Sequence, residues 1–348
     1  MNMYRLITQG FISIAFTLTL GANLFAQSLT PVSVGLLFIN ADGGMFIAQE
    51  RGYFEEEGLD VTFDRFRSGA DIVSLLATGR MDVGSGSITP GMYNSIRQGL
   101  DIQIVGSKSM VIPPDFGGAS LVVRQDLWEN GEIRNIEDLR DRRIALNNVN
   151  STSSTYVNRA LNTAGMGMDD IEFVTLPLNQ LFTAFNNKQI DAAWIFDPLR
   201  GALISQGFAT GMPGTDTTAT SPGDPTNLLY YSRRFADNTN AARGFMVAHL
   251  RGLRDYFDAV VAGTATIDEQ EDIFRILSKY TEIPVANYRS LALSGVHPNG
   301  IINSAALWRY QEEWLEWGIQ QQPADIDRVI NEAFLEYAWE RLGKIDYD

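Results

Sequence analysis

From Val32 onward, short apolar runs alternate with helical patterns, and the series restarts at "IRNIEDLRDRRIALNN", from Ile133. That alternation is the mark of βα units on a mostly parallel sheet. The runs "VSVGLLFI", "LDVTFDRF", "MDVGSG" and "DIQIVGSK" read as strands of a first series, with "ASLVVRQD" as a fifth. "RIAL", "IEFVTLP" and "IDAAWIF" belong to the second. A Gly, Thr and Pro segment, "ATGMPGTDTTATSPGDPTN", then precedes the strand "LLYYS". The restart predicts a second α/β lobe inserted within the first. From Ala241 on the pattern reads as helical throughout, and Leu307, Tyr310, Trp314 and Trp317 form an aromatic stripe expected to pack on the first lobe.

At 348 residues there is room for two such units. Lys and Arg total 27 against 42 Asp and Glu, a net charge of −15, so the basic footprint of a nucleic-acid binder is missing. The N-terminal stretch has one Arg, an apolar centre over residues 11–20 and small residues ahead of Gln27. It reads as a signal peptide over residues 1–26, cleaved after Ala26, and predicts export to the periplasm. The apolar core is shorter than the ~20 residues of a membrane span. The sequence has no Cys, which removes disulfides, thiolate metal sites and a lipid-bearing Cys.

Several turns carry readable local chemistry. Gly52 ends a helix, Tyr53 and Phe54 pack its end, and Gly58 turns the chain into the next strand. Asp82 and Asp191 each sit beside a short buried strand and are expected to hold backbone N–H groups. Thr89 followed by Pro90 reads as an N-cap with proline at the first helical position.

Four motifs, "AQERGYFEEEGLDVTF", "SGADIVSLLATGRMDVG", "IEDLRDRRIAL" and "AFNNKQIDAAWIFDPL", resemble in order and spacing the periplasmic solute-binding proteins of ABC transporters for nitrate, sulfonates and taurine. The same superfamily includes binders of thiamine pyrimidine precursors. The resemblance implies an α/β fold of the type II periplasmic binding protein: two doubly wound lobes joined by two hinge strands, "ASLVV" and "LLYYS". Lobe 1 would comprise residues 28–119 and 229–348, and lobe 2 residues 120–228.

In open α/β sheets the ligand crevice lies beyond the carboxyl ends of the strands. Those ends carry Asn40, Asp42, Gly43 and Gly44; Ser68, Gly69 and Ala70; Ser85, Gly86 and Ser87; and Asn150, Ser151, Thr152 and Ser153. Each group precedes a helix, whose first N–H groups lack intrahelical partners and can hold an anion. Phe38, Phe46, Tyr93, Phe116, Trp194 and Phe196 are the aromatic candidates near these ends, with Trp194 foremost. Lys108 and Arg67 are the nearby cations, each expected as a solvated surface charge.

No catalytic constellation accompanies them. The two histidines, His249 and His297, lack metal spacing, and neither a nucleophile elbow nor a complete phosphate loop is present. The expectation is a monomeric, non-enzymatic periplasmic protein, without cofactor or metal. It would capture a small organic anion such as a sulfonate by hinge closure and hand it to an inner-membrane permease. The alternatives are a flat heterocycle or aromatic acid as ligand, or a sensing subunit for a membrane receptor.

Overall fold

The computed structural model describes residues 28–114, 116, 119–147, 152–197 and 199–347. The expected signal peptide, and Asn150 and Ser151, lie outside the described residues.

Two five-stranded sheets organise the molecule. The first contains β1 (Thr30–Leu36), β2 (Leu59–Arg65), β3 (Val83–Gly86), β4 (Ile102–Met110) and β10 (Pro225–Ser232), in the order β2-β1-β3-β10-β4. The second contains β5 (Ala119–Arg124), β6 (Arg143–Leu146), β7 (Glu172–Thr175), β8 (Ala192–Phe196) and β9 (Ala209–Gly211), in the order β7-β6-β8-β5-β9. In each, one strand runs parallel to two neighbours, and a strand from the far side of a lobe crossing runs antiparallel between the rest. The sheets are therefore mixed, and their topologies repeat.

The two strands expected as hinges are fully paired members of the sheets: β5 in the second and β10 in the first. Among the described residues, the chain crosses between lobes in the segments leading into them, 111–114 with 116 and 212–224. Within the Gly, Thr and Pro segment lie β9 and a short helix, Thr217–Thr220.

Strand periodicity sorts the second lobe's side chains. Leu121, Val123, Ala192 and Trp194 join the large core that runs through both lobes, while Val122, Ala193 and Ile195 join a smaller core on the opposite face. Asp82 accepts from the Ser33 N–H (3.0 Å) and hydroxyl (2.9 Å), tying β3's approach to β1. Asp191 accepts from the Arg143 N–H (3.0 Å), tying β8's approach to β6. One device thus serves both lobes. Gly52 and Gly58 take φ of 72° and 77°, the left-handed turns their motif requires.

The C-terminal part is less uniformly helical than its pattern predicts. Helices Thr239–Tyr256, Ile267–Thr281, Ser304–Glu316 and Ala333–Leu342 form, but residues 282–303 run without a long helix. "TEIPVANY" and "GVHPNG" break the amphipathic period with Pro and Gly. No helix among the described residues is long and apolar enough to cross a membrane.

Candidate functional site

A cleft of about 1170 Å³ opens between the lobes. The first lobe lines it with the turn after β1 (Phe38, Ile39, Asn40, Ala41), the start of the Gly69–Ala77 helix (Ser68, Gly69, Ala70), the end of β3 (Gly86, Ser87) and the start of the Pro90–Arg97 helix (Thr89, Gly91, Met92). The second lobe contributes Asn147 after β6, Thr152, Ser153 and Tyr156 on the Thr152–Asn162 helix, and Trp194, Phe196 and Asp197 at the end of β8.

Local chemistry explains these placements. Ser68 caps its helix by accepting from the Asp71 N–H (3.3 Å), and Thr89 caps the next by accepting from Met92 (3.2 Å). These caps leave other N–H groups of the first turns without intrahelical partners. Gly69 and Gly86 let a helix start meet a strand end: a Cβ on Gly69 would lie 3.1 Å from the Gly86 Cα. Trp194 and Phe196 project from one face of β8, two residues apart. Trp194 stacks on Tyr156 (5.8 Å between ring centres) and is only 4% exposed, whereas Phe196 is 42% exposed.

Of the expected site residues, Asn40, Ser68, Gly69, Ala70, Gly86, Ser87, Thr152, Ser153 and Trp194 lie on the cleft wall. Asp42, Gly43, Gly44 and Ser85 do not. They lie buried behind it because the chain coils into a 3-10 turn, Asn40–Asp42, ahead of the Gly43–Glu50 helix. A Cβ on Gly43 would come within 2.6 Å of the Tyr256 ring, and one on Gly44 within 3.1 Å of the Leu253 Cα, so both glycines serve helix packing.

Asp42 and Ser85 instead hold Lys108. Its ammonium is fully buried in β4, paired with the Asp42 carboxylate and donating to the Ser85 hydroxyl at 2.7 Å. This corrects its expectation as a solvated surface charge, since a buried ammonium needs such a partner. Arg67 is exposed and off the cleft wall. Among the aromatic candidates, Phe38, Phe116, Trp194 and Phe196 line the cleft, while Phe46 and Tyr93 are core residues.

Sequence reasoning missed Tyr156, Thr217, Asn227 and a wall from the C-terminal part, including Ile283 and Leu293. Tyr156 could have been found one helical turn beyond Thr152, on the same face. The Tyr156 phenol accepts from Tyr310 (3.0 Å), and burial pushes its pKa up to about 12, so it remains protonated. Thr217 Oγ1 and Asn227 Oδ1 are buried at the cleft without a hydrogen-bond partner. No Lys, Arg or His is among the described lining residues.

A sequence-family profile described as "NMT1/THI5 like" matches residues 41–259. A putative binding protein of Brucella abortus is 27% identical over 296 residues, covering 82% of each chain. A putative aliphatic sulfonates-binding protein of Escherichia coli is 24% identical over 293 residues, again covering 82% of each. Among solved structures, the periplasmic aliphatic sulphonate binding protein of Escherichia coli superposes with a TM-score of 0.67 at 20% identity, covering 89% of this chain and 100% of that one. The fold is also shared by a desulfurization enzyme, at TM-score 0.62 and 14% identity, over 90% and 99% of the two chains. With the profile spanning well over half of its length, this chain belongs to the NMT1/THI5-like family, whose relatives include sulfonate-, taurine- and nitrate-binding periplasmic proteins of ABC transporters.

Proposed function

We propose that this protein is the periplasmic substrate-binding component of an ABC importer, exported by its N-terminal signal peptide, and that it clasps a small sulfonate between its lobes. The carrying observation is the cleft wall itself, where helix starts from both lobes converge with Tyr156 and the unpartnered Thr217 hydroxyl. A sulfonate offers three acceptor oxygens and no donor, so it needs several N–H and O–H groups in one place. The Asn227 amide donates through Nδ2 to the Ser109 hydroxyl at 3.2 Å, which holds this side chain at the cleft wall.

Helix ends alone are too weak. Each contributes about 0.3–1 kcal/mol, against about 8 kcal/mol for a micromolar ligand. Direct hydrogen bonds and apolar burial must supply the remainder, and both increase when the lobes close. The difference in ligand affinity between open and closed states is what drives closure and lets a permease recognise the loaded form.

The histidines support binding without catalysis. Burial, and then the Lys108 charge, lowers the His249 pKa to about 3, and this residue lies off the cleft wall. His297 Nδ1 accepts from the Asn299 N–H at 3.1 Å within its own turn. Isothermal titration of the mature protein with alkyl and aryl sulfonates, taurine and nitrate tests the reading. Saturable binding of at least one sulfonate is expected, at micromolar affinity or better. Heat of dilution alone for every sulfonate would overturn it.

A further inference from the structure

Resting on the sulfonate reading, we propose that the preferred ligand carries an uncharged aromatic tail and that the site selects against ammonium-bearing sulfonates such as taurine. Two independent observations lead there.

The first is charge. Asp197 is the one carboxylate among the described lining residues, and both of its oxygens are engaged. Oδ2 accepts from Arg200 Nε (2.9 Å) and pairs with Nη2 (2.7 Å), while Oδ1 accepts from the Gly201 N–H (2.9 Å). An ammonium drawn into this cleft would lose its water and gain no free anion, an unfavourable exchange. An uncharged tail loses nothing of the kind.

The second is apolar exposure at the mouth. Ile39 is 41% exposed and Phe196 is 42% exposed, and both line the cleft, one from each lobe. Phe38, beside Ile39, holds φ of 58°, a left-handed conformation unusual for a bulky residue. The Arg65 guanidinium covers its ring at 4.5 Å. Such strain is kept where the fold gains from the direction it imposes, and here the turn leaves Ile39 presented at the cleft. Met92 and Met110 lie further along the wall as largely buried apolar backing, with the Met92 sulfur already accepting from the Tyr230 hydroxyl at 3.0 Å. The cleft volume also exceeds the ~300 Å³ lower end of small-molecule sites, leaving space beyond a sulfonate head.

Benzenesulfonate, ethanesulfonate and taurine share a head group and differ in the tail, so titrating the mature full-length chain with each isolates the tail's part. Benzenesulfonate should bind about tenfold or more tightly than taurine, with ethanesulfonate between them. Phe196→Ala and Ile39→Ala replace exposed side chains, so folding, checked by circular dichroism, should persist. Each should weaken benzenesulfonate about threefold to tenfold and shift ethanesulfonate less than about twofold. Taurine binding as tightly as benzenesulfonate, or variants that weaken all three ligands equally, would overturn the aromatic-tail inference and leave the sulfonate reading standing. Absence of binding by all three would remove both.

Discussion

His249 has both ring nitrogens buried without a partner, on the Thr239–Tyr256 helix. Its folded-state pKa of about 3 lies below the ordinary 6.5, because burial and the nearby Lys108 disfavour the imidazolium. The unfolded chain therefore takes up the proton first as pH falls, and stability drops by about 1.4 kcal/mol per pH unit below about 6.5. The loss continues until the native histidine itself protonates near 3. His249→Leu should remove this dependence, so denaturation between about pH 7 and about pH 5 should show the variant gaining about 2 kcal/mol on the parent. Lys108→Met should do the reverse by stranding the fully buried Asp42, at a cost of about 3–5 kcal/mol. Asp42→Asn in the same chain should recover part of that loss in urea denaturation. Neither residue's role was legible in the sequence. A lysine in "DIQIVGSK" looks like a strand end, and its partner lies 66 positions away.

At the scale of elements, "MDVGSG" reads as a short strand, and Gly84 sits inside β3 under the Gly69–Ala77 helix. A Cβ there would lie 2.3 Å from Ile72 Cγ2 and 2.9 Å from Leu76 Cδ1. Gly84→Ala should cost about 1–3 kcal/mol through overpacking, measured by thermal unfolding, and Ile72→Ala in the same chain should return part of it. The elements themselves were largely legible, since period-two apolar runs and capped helical stripes are local signals. So were Asp82 and Asp191, whose partners are backbone groups on a neighbouring strand. Residues 282–303 were not, because Pro and Gly breaks say where a helix stops without saying that Ile283 and Leu293 reach the cleft.

The whole molecule is joined by a buried polar network that connects the lobes beside the cleft. Arg159, on the second lobe's Thr152–Asn162 helix, donates to both Glu313 oxygens (2.9 Å each) on the Ser304–Glu316 helix. It also donates to Asp224 (2.5 Å) in the crossing segment, where Arg309 makes the second ion pair. Trp314 donates to Thr155 (2.8 Å) while its ring meets Tyr93 of the first lobe edge-on. The stripe expected to pack on the first lobe does so through Tyr93 and also reaches the second through Thr155. Burial works against the Arg159 charge, but Glu313 and Asp224 outweigh it and raise its pKa, so the guanidinium stays protonated at all ordinary pH values. The Arg159 guanidinium lies over the Tyr310 ring (4.8 Å), and Tyr310 donates to Tyr156, which lines the cleft, so the inter-lobe joint abuts the ligand site. Arg159 is itself absent from the described lining, and a substitution there can reach ligand only through lobe geometry. Arg159→Met, which keeps the stem and removes the charge, should destabilise the fold by about 3–5 kcal/mol by leaving Asp224 and Glu313 underpaired. It should also raise the radius of gyration of the ligand-free protein in small-angle scattering and weaken sulfonate binding about fivefold or more, because less of the protein is competent to close. A loss of stability with scattering and affinity unchanged would reduce the network to scaffolding and leave closure to the crossing segments alone.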